Sequence, residues 1–181
     1  MNPISWSIDD QTIVRTLTLD DAEVIFRAID TNRDRLRPYM PWERTTRSPD
    51  DVRAFIERSL ASATDEDANG IWVAGEFAGN IGLRVDPEMN TGEIGYWNVR
   101  SFEGRGLITE ACRRFVEHGF RERMLHRIEI HAAVDNVRSR AVAERLGFTL
   151  EGTMRDGHRK PDDTYVDQVV YGLLASDRVE T

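Results

Sequence analysis

The chain has 181 residues, 40% of them hydrophobic and 31% charged, the balance of a folded soluble protein and not of a disordered one. That length suits a single domain over 1–181. No apolar run approaches the ~20 residues of a membrane span, and the opening MNPISWSIDD has neither the basic nor the apolar region of a secretory leader. The single cysteine, Cys112, excludes an internal disulfide and a cysteine-built metal cage. These features predict a soluble, cytoplasmic protein with no metal and no membrane partner. Its 24 basic and 32 acidic residues give a net charge of −8, which disfavours nucleic acid and favours a cationic partner. All the basic residues but Lys160 are arginines.

Residues 12–17 alternate Ile13, Arg15, Leu17 and predict a strand. Thr18 opens an acidic capping box, and Ala22, Ile25, Phe26 and Ile29 carry a helix to about Asn32. The Pro-containing stretch 33–47 has no clean period and reads as a loop or broken helix. Ser48-Pro49-Asp50-Asp51 starts a second helix with Val52, Phe55, Ile56 and Leu60 as its apolar stripe, ending in a polar loop over 65–70. Strands are predicted over 71–76, 80–86 and 92–99, separated by FAG and PEMNT. A helix follows with Ile108, Ala111, Cys112, Phe115, Val116 and Phe120 on one face. Then come a strand over 127–133, a helix over 136–146 closed by Gly147, and two strands over 148–157 and 165–174 joined by RKPDD. The result is one α/β domain of the α+β type, in the order β-α-α-β-β-β-α-β-α-β-β. The strand-helix-strand unit from Gly92 to Ala133 makes its two strands parallel within an otherwise hairpin-built, antiparallel sheet. Ligands of such sheets bind beyond strand carboxyl ends; here that is beyond Val99.

Gly104-Arg105-Gly106 stands at that point and opens a helix. Glycines admit close backbone approach, and the first helical N–H groups are unpaired at the positive end of the dipole, which together make a phosphate cradle. A plain turn is the bland alternative. A P-loop is a poor fit because no lysine follows the glycines, and a dinucleotide enzyme stays a remote option because its fingerprint needs a glycine where Thr109 stands. Arg100, Arg105, Arg113, Arg114, Arg138 and Arg140 lie near the loop and the Asn136 helix in sequence. They read either as a solvated face or as a docking surface for a polyphosphate.

The runs GEIGYWNVRSFEGRGLITEACRRFVEHGF and RIEIHAAVDNVRSRAVAERLGFTLEG resemble the GNAT acetyltransferase superfamily, and within it the branch that acetylates ribosomal-protein N-termini (RimJ/RimL type). The resemblance spans about 12–174. It implies a mixed, mostly antiparallel sheet of six or seven strands with one splayed parallel pair and about four flanking helices. It implies acetyl-CoA as cofactor, with its pyrophosphate on Gly104, Arg105, Gly106, Leu107, Ile108 and Thr109. Glu103 and Ile108 depart from the superfamily's Q/R-x-x-G-x-G/A, and Arg105 is expected to offset the acid. The acetyl thioester would lie along Trp97, Asn98 and Val99, whose backbone would polarise its carbonyl. Asn136 would touch the pantetheine arm and Ser139 would protonate the leaving thiolate, roles compatible with the helix capping that the residues suggest by themselves.

Acetyl transfer to an amine needs the neutral amine. An α-amine is neutral for roughly 10% of the time at pH 7, a lysine only about 0.04%, so a protein N-terminus needs less help from a base. Two base candidates stand out. Glu93 shares strand parity with Trp97 and matches a carboxylate that serves as base in some relatives; His158 has an ordinary pKa near neutrality. His118, His126 and His131 read as structural. Tyr39, Trp42 and Glu43 fall in the region that closes over the acceptor in the family, and aromatics with an acid suit a cationic terminus. The resemblance thus implies an N-acetyltransferase for the N-terminal amine of a protein, with homodimers frequent. Acetylation of a small amine, such as an aminoglycoside or polyamine, fits the charge equally well. A non-catalytic acyl-CoA-binding module is the alternative of another class.

Overall fold

Alternating apolar strands and two amphipathic helical faces resolve into one sheet with helices on both sides. The structure, a computed structural model, describes residues 3–61, 68–160 and 162–177. Residues 65–67 of the predicted polar loop and Pro161 of the predicted RKPDD link lie outside them. The sheet has eight strands: β1 Ser5–Ser7, β2 Thr12–Thr16, β3 Asn69–Val73, β4 Glu76–Asp86, β5 Thr91–Asn98, β6 Arg127–Ala133, β7 Thr149–Arg159 and β8 Tyr165–Leu174. Their spatial order is β1-β2-β3-β4-β5-β6-β8-β7. The helices are α1 Ala22–Asp30, α2 Arg33–Leu36, α3 Pro49–Ala61, α4 Leu107–Arg121 and α5 Val137–Arg145. Among the described residues no helix is long and apolar enough to cross a membrane.

The expected six or seven strands become eight because β1 was not foreseen. Its SWS has no alternation to betray it; it forms by pairing Trp6 opposite Val14 and packing the Trp6 ring 5.1 Å from Phe115. The β3–β4 turn is also displaced. FAG was expected to separate these strands, yet Phe77 pairs with Trp72 and the turn is Ala74-Gly75. Both turn residues have positive φ, 49° and 84°, the geometry that suits a two-residue hairpin.

Two cores sandwich the sheet. One packs Ile81, Leu83, Ile94, Ile128, Ile130 and Tyr171 against Cys112 and Phe115 of α4 and Ala143 of α5. The other packs Leu17, Phe77 and Trp97 against Ile25 and Ile29 of α1 and Val52 and Ile56 of α3. Leu60, expected in that stripe, is 54% exposed. The caps form as read: Asp21 Oδ2 accepts from the Thr18 N–H at 2.7 Å, and Asp51 Oδ2 from the Ser48 N–H at 2.9 Å.

One irregularity positions the site. The parallel pair β5–β6 holds register only at Thr91↔Arg127, Gly92↔Ile128 and Glu93↔Glu129. Beyond it the strands part, β5 staying on β4 through Asn98 and β6 on β8 through Ala133. The facing backbone edges of 94–98 and 130–133 are therefore open to a ligand. Glu93 and Glu129 stand at the apex of this wedge.

Candidate active site

The wedge opens into a cleft of about 1630 Å³ bounded by β4, β5, β6, the first turns of α4 and α5, and the 39–42 segment. At its mouth Gly104 and Gly106 have φ of +72° and +76°, and Gly106 caps α4. A β-carbon built on either glycine would meet nothing within 4 Å, so both face open space. The first α4 hydrogen bond runs from the Glu110 N–H to the Gly106 carbonyl at 3.0 Å. The N–H groups of Leu107, Ile108 and Thr109 precede it and have no helical acceptor. Gly104, Gly106, Leu107, Ile108 and Thr109 all line the cleft.

The cations differ from those expected. Arg113 and Arg138 line the cleft, joined by Arg35 and by Arg145, which donates to Thr109 Oγ1 at 3.3 Å. Arg100 turns to Asp34, Arg114 to Glu117, and Arg140 to the Val134 carbonyl. Arg105 lies outside the cleft lining, its guanidinium 4.9 Å over the Phe102 ring, so it does not offset Glu103. That acid is neutralised instead by Arg35 and by Arg138 at 2.6 Å.

On β5, Trp97 and Asn98 line the cleft. Asn98 is held by Arg35, whose Nη2 donates to Oδ1 at 2.7 Å and whose Nη1 donates to the carbonyl. Val99 does not line it: its N–H donates to the Ala78 carbonyl at 2.8 Å and its side chain packs into both cores. Its N–H is thus not free to polarise an acyl group. Asn136 caps α5, its Oδ1 accepting the Ser139 N–H at 3.2 Å. Ser139 Oγ lies 2.9 Å from the Tyr96 hydroxyl. Burial pushes the Tyr96 phenol well above the usual tyrosine range, so it keeps its proton.

Of the acceptor-side residues, Tyr39 and Trp42 line the cleft, with Trp42 5.9 Å from Trp97. Glu43 does not. Its side chain is 2% exposed and is clamped by Arg33 at 3.0 Å and Arg37 at 3.3 Å, so it has no free charge for an acceptor. Glu93 lines the cleft and pairs with Arg84. His158 lines it too; its Nε2 is buried without a hydrogen-bond partner among the described residues. Desolvation holds this imidazole below the ordinary histidine range, against the opposing pull of Asp135. Nearby, Lys160 Nζ lies 2.9 Å from Asp135 Oδ2.

Sequence reasoning missed Arg35, Tyr96, His131 and Arg145. Strand parity could have signalled His131, which shares the face of Glu129. Arg35 sits in a stretch without period, and the partners of Tyr96 and Arg145 lie far along the chain.

A glycine-opened helix end, flanking arginines and a splayed parallel pair define an anion-and-chain-binding cleft. Residues 11–149 match the acetyltransferase (GNAT) domain, and the chain belongs to that family. It is 37% identical over 172 residues to YdaF of Bacillus subtilis (strain 168), whose name gives ribosomal N-acetyltransferase as a provisional role; the match covers 92% of this chain and 93% of that one. It is 30% identical over 153 residues to the ribosomal-protein-serine acetyltransferase of Escherichia coli (strain K12), covering 83% and 85%. In fold it is similar to RimL, a ribosomal L7/L12 alpha-N-protein acetyltransferase solved with coenzyme A: TM-score 0.89, 23% identity, 94% of this chain and 98% of that one.

Proposed function

We propose that the protein, as a single cytoplasmic acetyltransferase domain, transfers acetyl from acetyl-CoA to the N-terminal α-amine of a protein, a basic ribosomal protein being the favoured class. The observation that carries this reading is the wedge between β5 and β6 with the Gly104–Gly106 cradle at its mouth. The cradle fits the group: its glycines leave open space, three helix N–H groups lack acceptors, and Arg113, Arg138 and Arg145 border it. When bound, acetyl-CoA supplies an activated acyl carbon and a thiolate leaving group.

The chain's residues do the rest. The N–H groups of 107–109 and the arginines hold the pyrophosphate. Asn136 and the open strand edges hold the pantetheine arm, aligning the thioester beside Trp97. Tyr39, Trp42 and Trp97 wall the acceptor side, and Glu93 draws in the ammonium group. Ser139, hydrogen-bonded to Tyr96, gives the proton that the departing thiolate takes up. The open outer edge of β7 is where a second copy would pair to form a homodimer.

Mass spectrometry of products after incubation with acetyl-CoA and a panel of ribosomal proteins, free-amine peptides and small amines tests this. Acetyl on α-amines is expected. Acetylation of only aminoglycosides or polyamines moves the assignment to a small-amine enzyme. Coenzyme A binding with no product across the panel makes the chain an acyl-CoA-binding module.

A further inference from the structure

β6 directs Arg127, Glu129 and His131 to the face opposite the Ile128 and Ile130 core, with Glu129 at the apex of the wedge and His131 past it. His131 lines the cleft. Its Nε2 is 2.7 Å from Glu129 Oε2, and its Nδ1 is 3.9 Å from Glu93 Oε1. An ionised carboxylate only accepts, so Nε2 donates in the Glu129 bond, and in the ring's neutral form Nδ1 carries the lone pair. A lone pair and a carboxylate both accept, so Nδ1 and Glu93 make no hydrogen bond to each other across their 3.9 Å separation. An ammonium nitrogen beside this pair, about 2.9 Å from each atom, donates to both.

Glu129 is fixed in turn. Its Oε1 accepts from Arg127 Nε at 2.6 Å, and Arg127 Nη1 donates to Glu151 of β7 at 2.7 Å. Burial would raise the Glu129 carboxyl, but Arg127 and His131 hold it below the usual carboxylate range. Glu93 is held from β4 by Arg84. The imidazole thus stands between two ionised acids, one locked behind it and one in front, in the order base, orienting carboxylate and fixing cation.

We infer that His131, oriented by Glu129, is the base that deprotonates the acceptor ammonium, with Glu93 as its electrostatic anchor. This deepens the acetyltransferase reading and rests on it. In the step, one N–H bond of the ammonium breaks and an H–Nδ1 bond forms. The nitrogen regains its lone pair, the imidazolium charge faces Glu129 and Glu93, and the proton leaves to solvent after transfer. His131 is the catalytic residue, and Glu129 and Arg127 are positioning residues.

The test is the pH profile of kcat/KM for a short arginine-rich peptide with a free α-amine, in wild type, His131→Gln and Glu129→Gln, with coenzyme A affinity measured by calorimetry. His131→Gln is expected to lose roughly a hundredfold at pH 7. The deficit should shrink towards pH 9, where bulk water deprotonates the amine, with coenzyme A affinity unchanged. In Glu129→Gln the acidic limb moves to lower pH, because the partner of the protonated ring is gone. A His131→Gln enzyme with wild-type kcat/KM at pH 7, or with the same deficit at pH 7 and 9, overturns the assignment and leaves acetyl transfer standing. A wild-type protein that acetylates no amine overturns the reading beneath it as well.

Discussion

The Tyr96 hydroxyl is 2.9 Å from Ser139 Oγ and 3.2 Å from the Ser139 carbonyl oxygen. One phenolic proton cannot serve both. When it goes to Oγ, the serine proton is released to point into the cleft. Ser139→Ala should therefore lower kcat by about a hundredfold and leave KM for acetyl-CoA nearly unchanged. Tyr96→Phe should lower kcat less, and the double variant should match Ser139→Ala, since both residues act through one proton. Steady-state kinetics decides it; additive losses would separate the two residues.

Gly106→Val should abolish coenzyme A binding. Its φ of +76° makes a branched side chain strained by about 1–3 kcal/mol, and the new methyls enter the anion cradle. Gly75→Val is the control: φ is +84° in the β3–β4 turn, so the strain is similar but the cradle is untouched. Calorimetric titration should separate them. A Gly106→Val protein that folds and binds normally would remove the cradle from the mechanism.

Glu43→Ala should destabilise the fold by roughly 1–2 kcal/mol, since Arg33 and Arg37 lose a shared buried partner but stay solvent-accessible, and Arg33 keeps Asp30. Denaturant unfolding measures the loss. KM for the acceptor should not change, and a large rise would restore Glu43 to the acceptor site.

His158 links stability to acidity. Its half-buried ring resists protonation when folded, whereas the unfolded chain takes up a proton below about pH 6.5. Below that point the unfolded state binds more protons, so this contribution is intact above pH 6.5 and is lost as pH falls through the folded pKa. His158→Gln should flatten the decline in Tm between pH 7 and pH 5. Equal slopes in variant and wild type would show that the ring is solvated.

The long periodic segments were legible in the sequence because burial on one face leaves a repeat: Ala111, Cys112 and Phe115 fix α4, and Gly104 and Gly106 mark its entrance. The parallel pair followed from chain order. What escaped was set by distant partners. β1 exists through its pairing with Val14. Glu43 looked like a free acid because Arg33 and Arg37 fold back on it only when α2 forms. His131 reads as structural in the sequence because its own strand does not show that Glu93 joins Glu129 around it.

Lys160 carries the only lysine amine in the chain, and it is tied to Asp135, next to the Asn136 cap. An enzyme that generates acetylated amines thereby offers its own chemistry a single side-chain amine. Acetyl-lysine detected in a reaction mixture belongs to the acceptor or to this one residue, so self-acetylation of a lysine has a single address. An amine-directed label placed there would also sit beside Asn136 and the first turn of α5, and its protection would report when the cleft fills.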